Sequence, residues 1–247
     1  MAAQRDWQAE YEGRVAWIRD LVQSSGCKGI VFGNSGGKDS ALVGILCKAA
    51  CDKTVGLILP CGSKRNYGAD AADAKTLADA YGIETRTLDL SPTREALLAA
   101  LGGEEKMTDA ARINLAPRLR MTALYAVAAN EGLLVAGTGN RSERYMGYYT
   151  KWGDGASDFN PIADLTAGEV FEFLEYLGAP RQIIDKAPSA GLFDGQTDEQ
   201  EMGVSYAAID EFILAGTANE KDRAIIERYH RQSEHKRTGT AVYTEGE

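Results

Sequence analysis

The run Ser35-Gly36-Gly37-Lys38-Asp39-Ser40 sets hydroxyls, glycines, an ammonium and a carboxylate side by side, preceded by Gly33 and Asn34. Glycines let a backbone approach a ligand closely, and the N–H groups that open a helix attract phosphate oxygens. A carboxylate beside phosphates would repel them, so Asp39 fits if a magnesium ion lies between. The run is not a Walker A loop, because Phe32 stands where that motif needs Gly and Asp39 where it needs Ser or Thr. The same residues would also serve as a plain strand-to-helix turn, with Asp39 favoured in the first turn by the helix dipole.

Other stretches also carry chemistry. In "NLAPRLRM" (114 to 121), Arg118 and Arg120 lie on a helix that Pro117 kinks or delays. Alone they read as a solvated face. "GTGNRSE" (137 to 143) holds Thr138 and Glu143, which fit either a ligand loop or a turn after a strand. "TKWGDGASDF" (150 to 159) is poor in apolar residues and reads as an ordered functional loop or a solvated turn. Its spacing is not that of an EF-hand. Near the C-terminus Arg223, Arg228, Arg231, Lys236 and Arg237 collect around His230 and His235, a pattern that alone reads as a solvated face.

These residues need a scaffold, and the pattern between them supplies one. Short apolar or β-branched runs at 29 to 33, 54 to 60, 83 to 90 and 133 to 139 predict strands. Helical patterns fall at 39 to 51, 68 to 81, 109 to 131, 167 to 177, 199 to 214 and 218 to 235. Trp7, Tyr11, Val15, Ile18 and Val22 recur at helical spacing in an N-terminal packing helix. Alternating strands and helices imply an α/β fold, a doubly wound parallel β-sheet flanked by helices, with ligands beyond the strands' carboxyl ends. The loops after the first and last strands then become neighbours.

At 247 residues, with no repeat or low-complexity linker, residues 1–247 are expected to form a single domain. The net charge of −9 argues against nucleic acid as a partner, and no segment has the length of a membrane span. Cys27, Cys47, Cys51 and Cys61 lack paired C-x-x-C spacing, and reduced thiols in a cytoplasmic protein without a signal layout fit best.

S-G-G-x-D-S resembles the loop of the adenine-nucleotide α-hydrolases, or ATP pyrophosphatases, which bind the pyrophosphate end of ATP and cleave between its α and β phosphates. "NLAPRLRM", "GTGNRSE", "GYYTKWGDGASDFNPIADLT" (147 to 166), "KAPSAGLFDGQTDE" (186 to 199) and "EHKR" (234 to 237) together resemble the ammonia-dependent NAD synthetases, over about residues 14 to 240. The resemblance implies that Gly33 to Ser40, Thr138 and Ser189 bind ATP, with Ser35, Lys38 and Asp39 carrying catalysis. It implies Mg²⁺ on Asp39 and Glu143, and deamido-NAD on Arg118, Lys151, Asp158, His235 and Lys236. It further implies a homodimer with substrate at the interface. Ammonia would be free or come from a separate polypeptide, since no stretch is left over for a glutaminase domain.

Ala167 stands where such sequences commonly carry an ATP-contacting lysine. Two other readings stay open: an amidating or thiolating enzyme of the same fold with another acceptor, and a nucleotide-binding module without turnover.

Overall fold

The computed structural model describes residues 5–62, 68–186 and 198–243. Helix α1 (Trp7–Ser25) opens on Asp6, whose carboxylate accepts from the backbone N–H of Gln8 and Ala9, and closes at Gly26 in the left-handed region. Its buried stripe is Val15, Ile18 and Val22, with Trp7 and Tyr11 packed beside it.

Four parallel strands follow in the spatial order β3-β2-β1-β4: β1 (Gly29–Gly33), β2 (Thr54–Ile58), β3 (Glu84–Thr87) and β4 (Leu133–Ala136). In register, Val31 of β1 faces Val55 of β2 on one side and Val135 of β4 on the other. Side chains alternate across a strand, so Ile30 and Phe32 point to one face while Val31 points to the opposite one. The first face packs on α1, α2 (Lys38–Ala50) and, further along the chain, α8 (Ala167–Tyr176), around Phe32, Leu42, Leu46 and Phe173. Burying side chains of this size fully is worth about 1.5–3 kcal/mol each. On the second face Val31, Val55, Leu57 and Val135 meet Leu124 and Val127 of α6 (Leu115–Glu131).

The connections are mostly helical: α3 (Ala69–Tyr81), α4 (Ser91–Ala100), α5 (Asp109–Ile113), α6, α7 (Arg141–Met146) and α9 (Arg181–Ile184). Beyond α9 come α10 (Asp198–Met202), α11 (Tyr206–Ala215), α12 (Glu220–Gln232) and α13 (Glu234–Arg237). From β1 the chain moves to β2 on one side and returns to β4 on the other. The crevice beyond the carboxyl ends of β1 and β4 is therefore a topological switch point.

The α/β parallel sheet is as expected, and each strand falls inside its expected run. The single helix expected at 109 to 131 is two, broken at Asn114, and Pro117 takes an early position in the second, where its missing N–H costs no helix bond. The run at 199 to 214 is also interrupted, by Gly203 at φ 76°. Helix α4, with a proline in its first turn, has no counterpart among the expected helices, because its Ser-Pro start follows the expected strand directly. All four cysteines are free, and burial pushes the Cys47 thiol well above its ordinary pKa. Among the described residues no helix is long and apolar enough to cross a membrane.

Candidate active site

The loop after β1 folds around its own small side chains. Ser35 and Ser40 share a hydrogen bond of 3.0 Å between their hydroxyls, and Ser40 Oγ also donates to the Gly37 carbonyl at 3.0 Å. Gly36 has φ 72°, and a Cβ there would lie 2.3 Å from the Asp70 carbonyl oxygen, so only glycine lets the loop rest on α3. Asn34 is buried beneath the loop; its Nδ2 donates to the Ala74 carbonyl at 3.0 Å, and its Oδ1 makes no hydrogen bond among the described residues.

Lys38 does not reach into open space. Its ammonium donates to the carbonyls of Ile184 (3.2 Å) and Lys186, and burial lowers its pKa. Lys186 in turn bonds to Asp70 (2.8 Å), Asp73 (2.6 Å) and the Gly36 carbonyl (3.2 Å). Two lysines thus fasten the end of α9 to the loop and to α3.

Beyond β4, Asn140 caps α7. Its side-chain oxygen accepts from the Glu143 backbone N–H at 2.9 Å, and Glu143 Oε2 accepts from the Asn140 backbone N–H at 3.0 Å, a reciprocal capping box. Asn140 Nδ2 also donates to Asp39 Oδ1 at 3.0 Å. One asparagine therefore couples both candidate metal carboxylates. Burial raises the pKa of Asp39, and burial followed by the neighbouring Asp39 charge raises that of Glu143 strongly. Asp198 adds to this negative field and accepts from the hydroxyls of Tyr206 (3.3 Å) and Tyr148 (3.4 Å).

Two half-buried carboxylates whose charged forms are disfavoured where they stand would be favoured by a cation between them. Among the described residues no group of three or more His, Cys, Asp or Glu has metal-holding geometry. The pair suits a cation that takes one or two carboxylates and completes its shell with water and phosphate oxygens, the habit of magnesium.

A cavity of about 1050 Å³ joins these parts. Gly33 to Ser40, other than Gly36, contribute to its wall, with Thr138 and Glu143 on the β4 side and Lys236 from α13. Its size exceeds the roughly 300–1,000 Å³ of ordinary small-molecule sites, leaving room for a nucleotide and an acceptor together. The remaining sequence-expected acceptor residues stand outside this wall. Arg118 is exposed, with its guanidinium 3.4 Å from the Lys151 carbonyl. Lys151 donates to the His235 carbonyl and lies 5.5 Å from the Trp152 ring centre. Asp158 accepts from the Val135 N–H at 2.7 Å and the Tyr125 hydroxyl at 3.2 Å, and so pins the loop to β4. Ser189 lies outside the described residues.

At Ala167 the start of α8 is held by two side chains from other helices. The Ala167 N–H donates to Ser142 Oγ at 3.1 Å and the Gly168 N–H to Asp210 Oδ2 at 2.7 Å. Sequence reasoning passed over Asn140, although the Asn-x-x-Glu spacing of a capping box marks it. It also ranked Arg118 above Arg120, yet Arg120 lines the cavity and donates to the Leu59 carbonyl at 2.9 Å. Asp198 lies in the quoted 186 to 199 stretch but is not singled out there, because its approach to Asp39, Glu143 and Tyr148 depends on the fold.

A family model for NAD synthase matches residues 10–244. An NH(3)-dependent NAD(+) synthetase from Carboxydothermus hydrogenoformans is 43% identical over 238 residues, covering 94% of this chain and 96% of that one. The structure of an NMN synthetase from Francisella tularensis superimposes with a TM-score of 0.91 at 38% identity, over 97% of this chain and 99% of its own. An NAD+ synthetase from Burkholderia pseudomallei superimposes with a TM-score of 0.78 at 32% identity, over 95% and 91%. A sheet with a Gly-rich loop after β1, a carboxylate pair joined through Asn140, and likeness along nearly the whole length lead to one statement: the chain belongs to the NAD synthase family.

Proposed function

We propose that this chain makes NAD by ammonia-dependent amidation of deamido-NAD, with ATP consumed to AMP and pyrophosphate. The observation that carries the reading is the meeting of the Ser35–Ser40 loop and Glu143 in one cavity, joined by the Asn140–Asp39 hydrogen bond. A carboxylate is a poor acyl donor because its oxygen leaves badly. In the first step its oxygen attacks the α phosphorus of ATP, the bond to the bridging oxygen breaks, and pyrophosphate leaves. In the second, ammonia attacks the carbonyl carbon, loses a proton, and the carbon–oxygen bond to AMP breaks.

The chain's own residues position these groups. Backbone N–H groups of the loop would meet phosphate oxygens, while the bonded hydroxyls of Ser35 and Ser40 hold the loop in shape. Asp39 and Glu143 would hold Mg²⁺, which when bound offsets the charge of the triphosphate. Lys38 holds the end of α9 in place. A second copy of the chain completes the acceptor site in this reading. Its support is that Arg118, Lys151 and Asp158 stand outside the cavity wall, beside α6, a 17-residue helix that fully buries only Ala128.

The test mixes the chain with ATP, Mg²⁺, ammonium and deamido-NAD and quantifies NAD, AMP and pyrophosphate together. Equal yields of all three are expected. AMP without NAD would move the reading to another acceptor, and no AMP would leave a binding module.

One observation favours a second acceptor: the TM-score of 0.91 belongs to an NMN synthetase. Nicotinate mononucleotide presents the same carboxylate on the same ring and can undergo the same two steps.

A further inference from the structure

Among the described residues five cations line the cavity: Lys38, Arg120, Arg144, Lys186 and Lys236. Four are committed to protein groups. Lys38 and Lys186 fasten the loop, and Arg120 donates to the Leu59 carbonyl. Lys236 donates to the carbonyls of Gly147 (2.7 Å) and Tyr149 (2.6 Å). Arg144 alone makes no side-chain hydrogen bond or ion pair among the described residues. It is exposed at the cavity wall on α7, one residue after Glu143, and its charge acts on the Tyr149 hydroxyl.

That isolation is not for want of acids, since Asp39, Glu143, Asp198 and Asp210 all line the same cavity. Consecutive helix positions point in different directions, so Glu143 and Arg144 do not face each other. A permanently charged, planar, two-point donor left open at the wall of a nucleotide-sized cavity is built for an incoming anion.

We infer that Arg144 grips the terminal phosphate of nicotinate mononucleotide and lets the chain use the mononucleotide as an acceptor beside the dinucleotide. The inference rests on the amidating function proposed above and names a residue that sets its acceptor range. A terminal phosphate monoester carries a charge of about −1.5 to −2 at neutral pH and three free oxygens. Each phosphate of a dinucleotide carries a single charge and two free oxygens, so the guanidinium contributes more to the smaller substrate.

The test compares wild type, Arg144→Leu and Arg144→Lys with each acceptor at saturating ATP, Mg²⁺ and ammonium, and measures mononucleotide binding by calorimetry. Wild type is expected to amidate both acceptors. Arg144→Leu should raise KM for the mononucleotide by roughly ten- to a hundredfold, the scale of losing one hydrogen bond to a charged group, with a smaller effect on kcat. Its ratio of kcat/KM for mononucleotide over dinucleotide should fall by about tenfold, and Arg144→Lys should recover part of the loss. Equal losses for both acceptors, or a rise in KM for ATP instead, would overturn the assignment. So would turnover of deamido-NAD with neither amidation nor binding of the mononucleotide. Failure to amidate either acceptor would count against the proposed function itself, and unaltered mononucleotide binding in Arg144→Leu would count against Arg144 alone.

Discussion

Asn140 donates from its side-chain amide to Asp39 at 3.0 Å across 101 residues of sequence, while the rest of the same side chain caps the helix that carries Glu143. The two candidate metal carboxylates are thereby set by one residue that is not itself a ligand.

Replacing Asn140 separates its two roles. Asn140→Ala removes the cap and the bridge, and a lost cap costs about 1–2 kcal/mol. Asn140→Ser keeps a capping hydroxyl that is too short to reach Asp39, so stability should largely return while the bridge stays broken. Both variants should need more Mg²⁺ for half-maximal activity, by roughly tenfold or more, as when an outer partner of a metal ligand is lost. Thermal melts and Mg²⁺ titrations of activity check this; a normal Mg²⁺ requirement in Asn140→Ser would show that the bridge to Asp39 does not set metal affinity.

The raised pKa of Glu143 gives a stability test with a definite sign. A carboxyl whose folded pKa lies above its unfolded value costs no stability below the unfolded value. The cost grows as pH rises and is complete above the folded pKa. Glu143→Gln removes the charge that burial and Asp39 disfavour. Without Mg²⁺ the variant should therefore melt higher than wild type at neutral pH, and the gap should close as pH falls toward the ordinary carboxylate range. Adding Mg²⁺ should raise the wild-type melting temperature and leave Glu143→Gln nearly unmoved. A gap independent of pH would mean that the two carboxylates do not repel each other as described.

How much of this is legible in the sequence depends on the range of each interaction. The strands show because β-branched runs such as "GIVFG" and "TVGLI" end where the chain must turn. The loop shows because its hydroxyls and glycines are consecutive. Asn140 leaves a local trace in its capping box, but its reach to Asp39 depends on β1 and β4 being neighbours, which only the sheet order supplies. The ties of Lys38 are less visible still. A lysine in a phosphate-type loop reads as a phosphate partner, and nothing local shows that the carbonyls of Ile184 and Lys186 claim it.

Lys38 and Asp39 are adjacent in sequence and should differ sharply on substitution. Lys38→Met leaves two carbonyls without a donor and loosens the end of α9, but keeps both candidate metal carboxylates in place. Its kcat should fall by less than about tenfold, with KM for ATP rising. Asp39→Ala removes a candidate metal ligand and should cost at least about a hundredfold in kcat, the scale of one lost preorganised charge contact. Steady-state rates with circular dichroism as a control on folding decide the matter. Equal losses would show that the Lys38 ammonium leaves its carbonyls and acts on the phosphates.

The C-terminal helices reach the site through a close approach that one glycine permits. Gly147 ends α7 at φ 65°, and a Cβ there would lie 2.0 Å from Ser233 Cβ. The gap it leaves lets Ser233 Oγ donate to the Met146 carbonyl at 3.2 Å and brings the Lys236 ammonium to the carbonyls of Gly147 and Tyr149. Gly147→Ala meets both obstacles at once. A left-handed backbone costs a residue with a Cβ roughly 1–2 kcal/mol, and crowding of packed side chains costs typically 1–3 kcal/mol more. Since α13 is held to this turn by Lys236, the strain should appear first as loosening of residues 233–237. Hydrogen exchange should then rise in α13 and the last turn of α12 before it rises in the sheet. KM for the acceptor should increase more than KM for ATP, whose loop is anchored separately through Gly36 and Lys186. If exchange rises uniformly across the chain, Gly147 matters to the whole fold and not to the seating of its C-terminal helices.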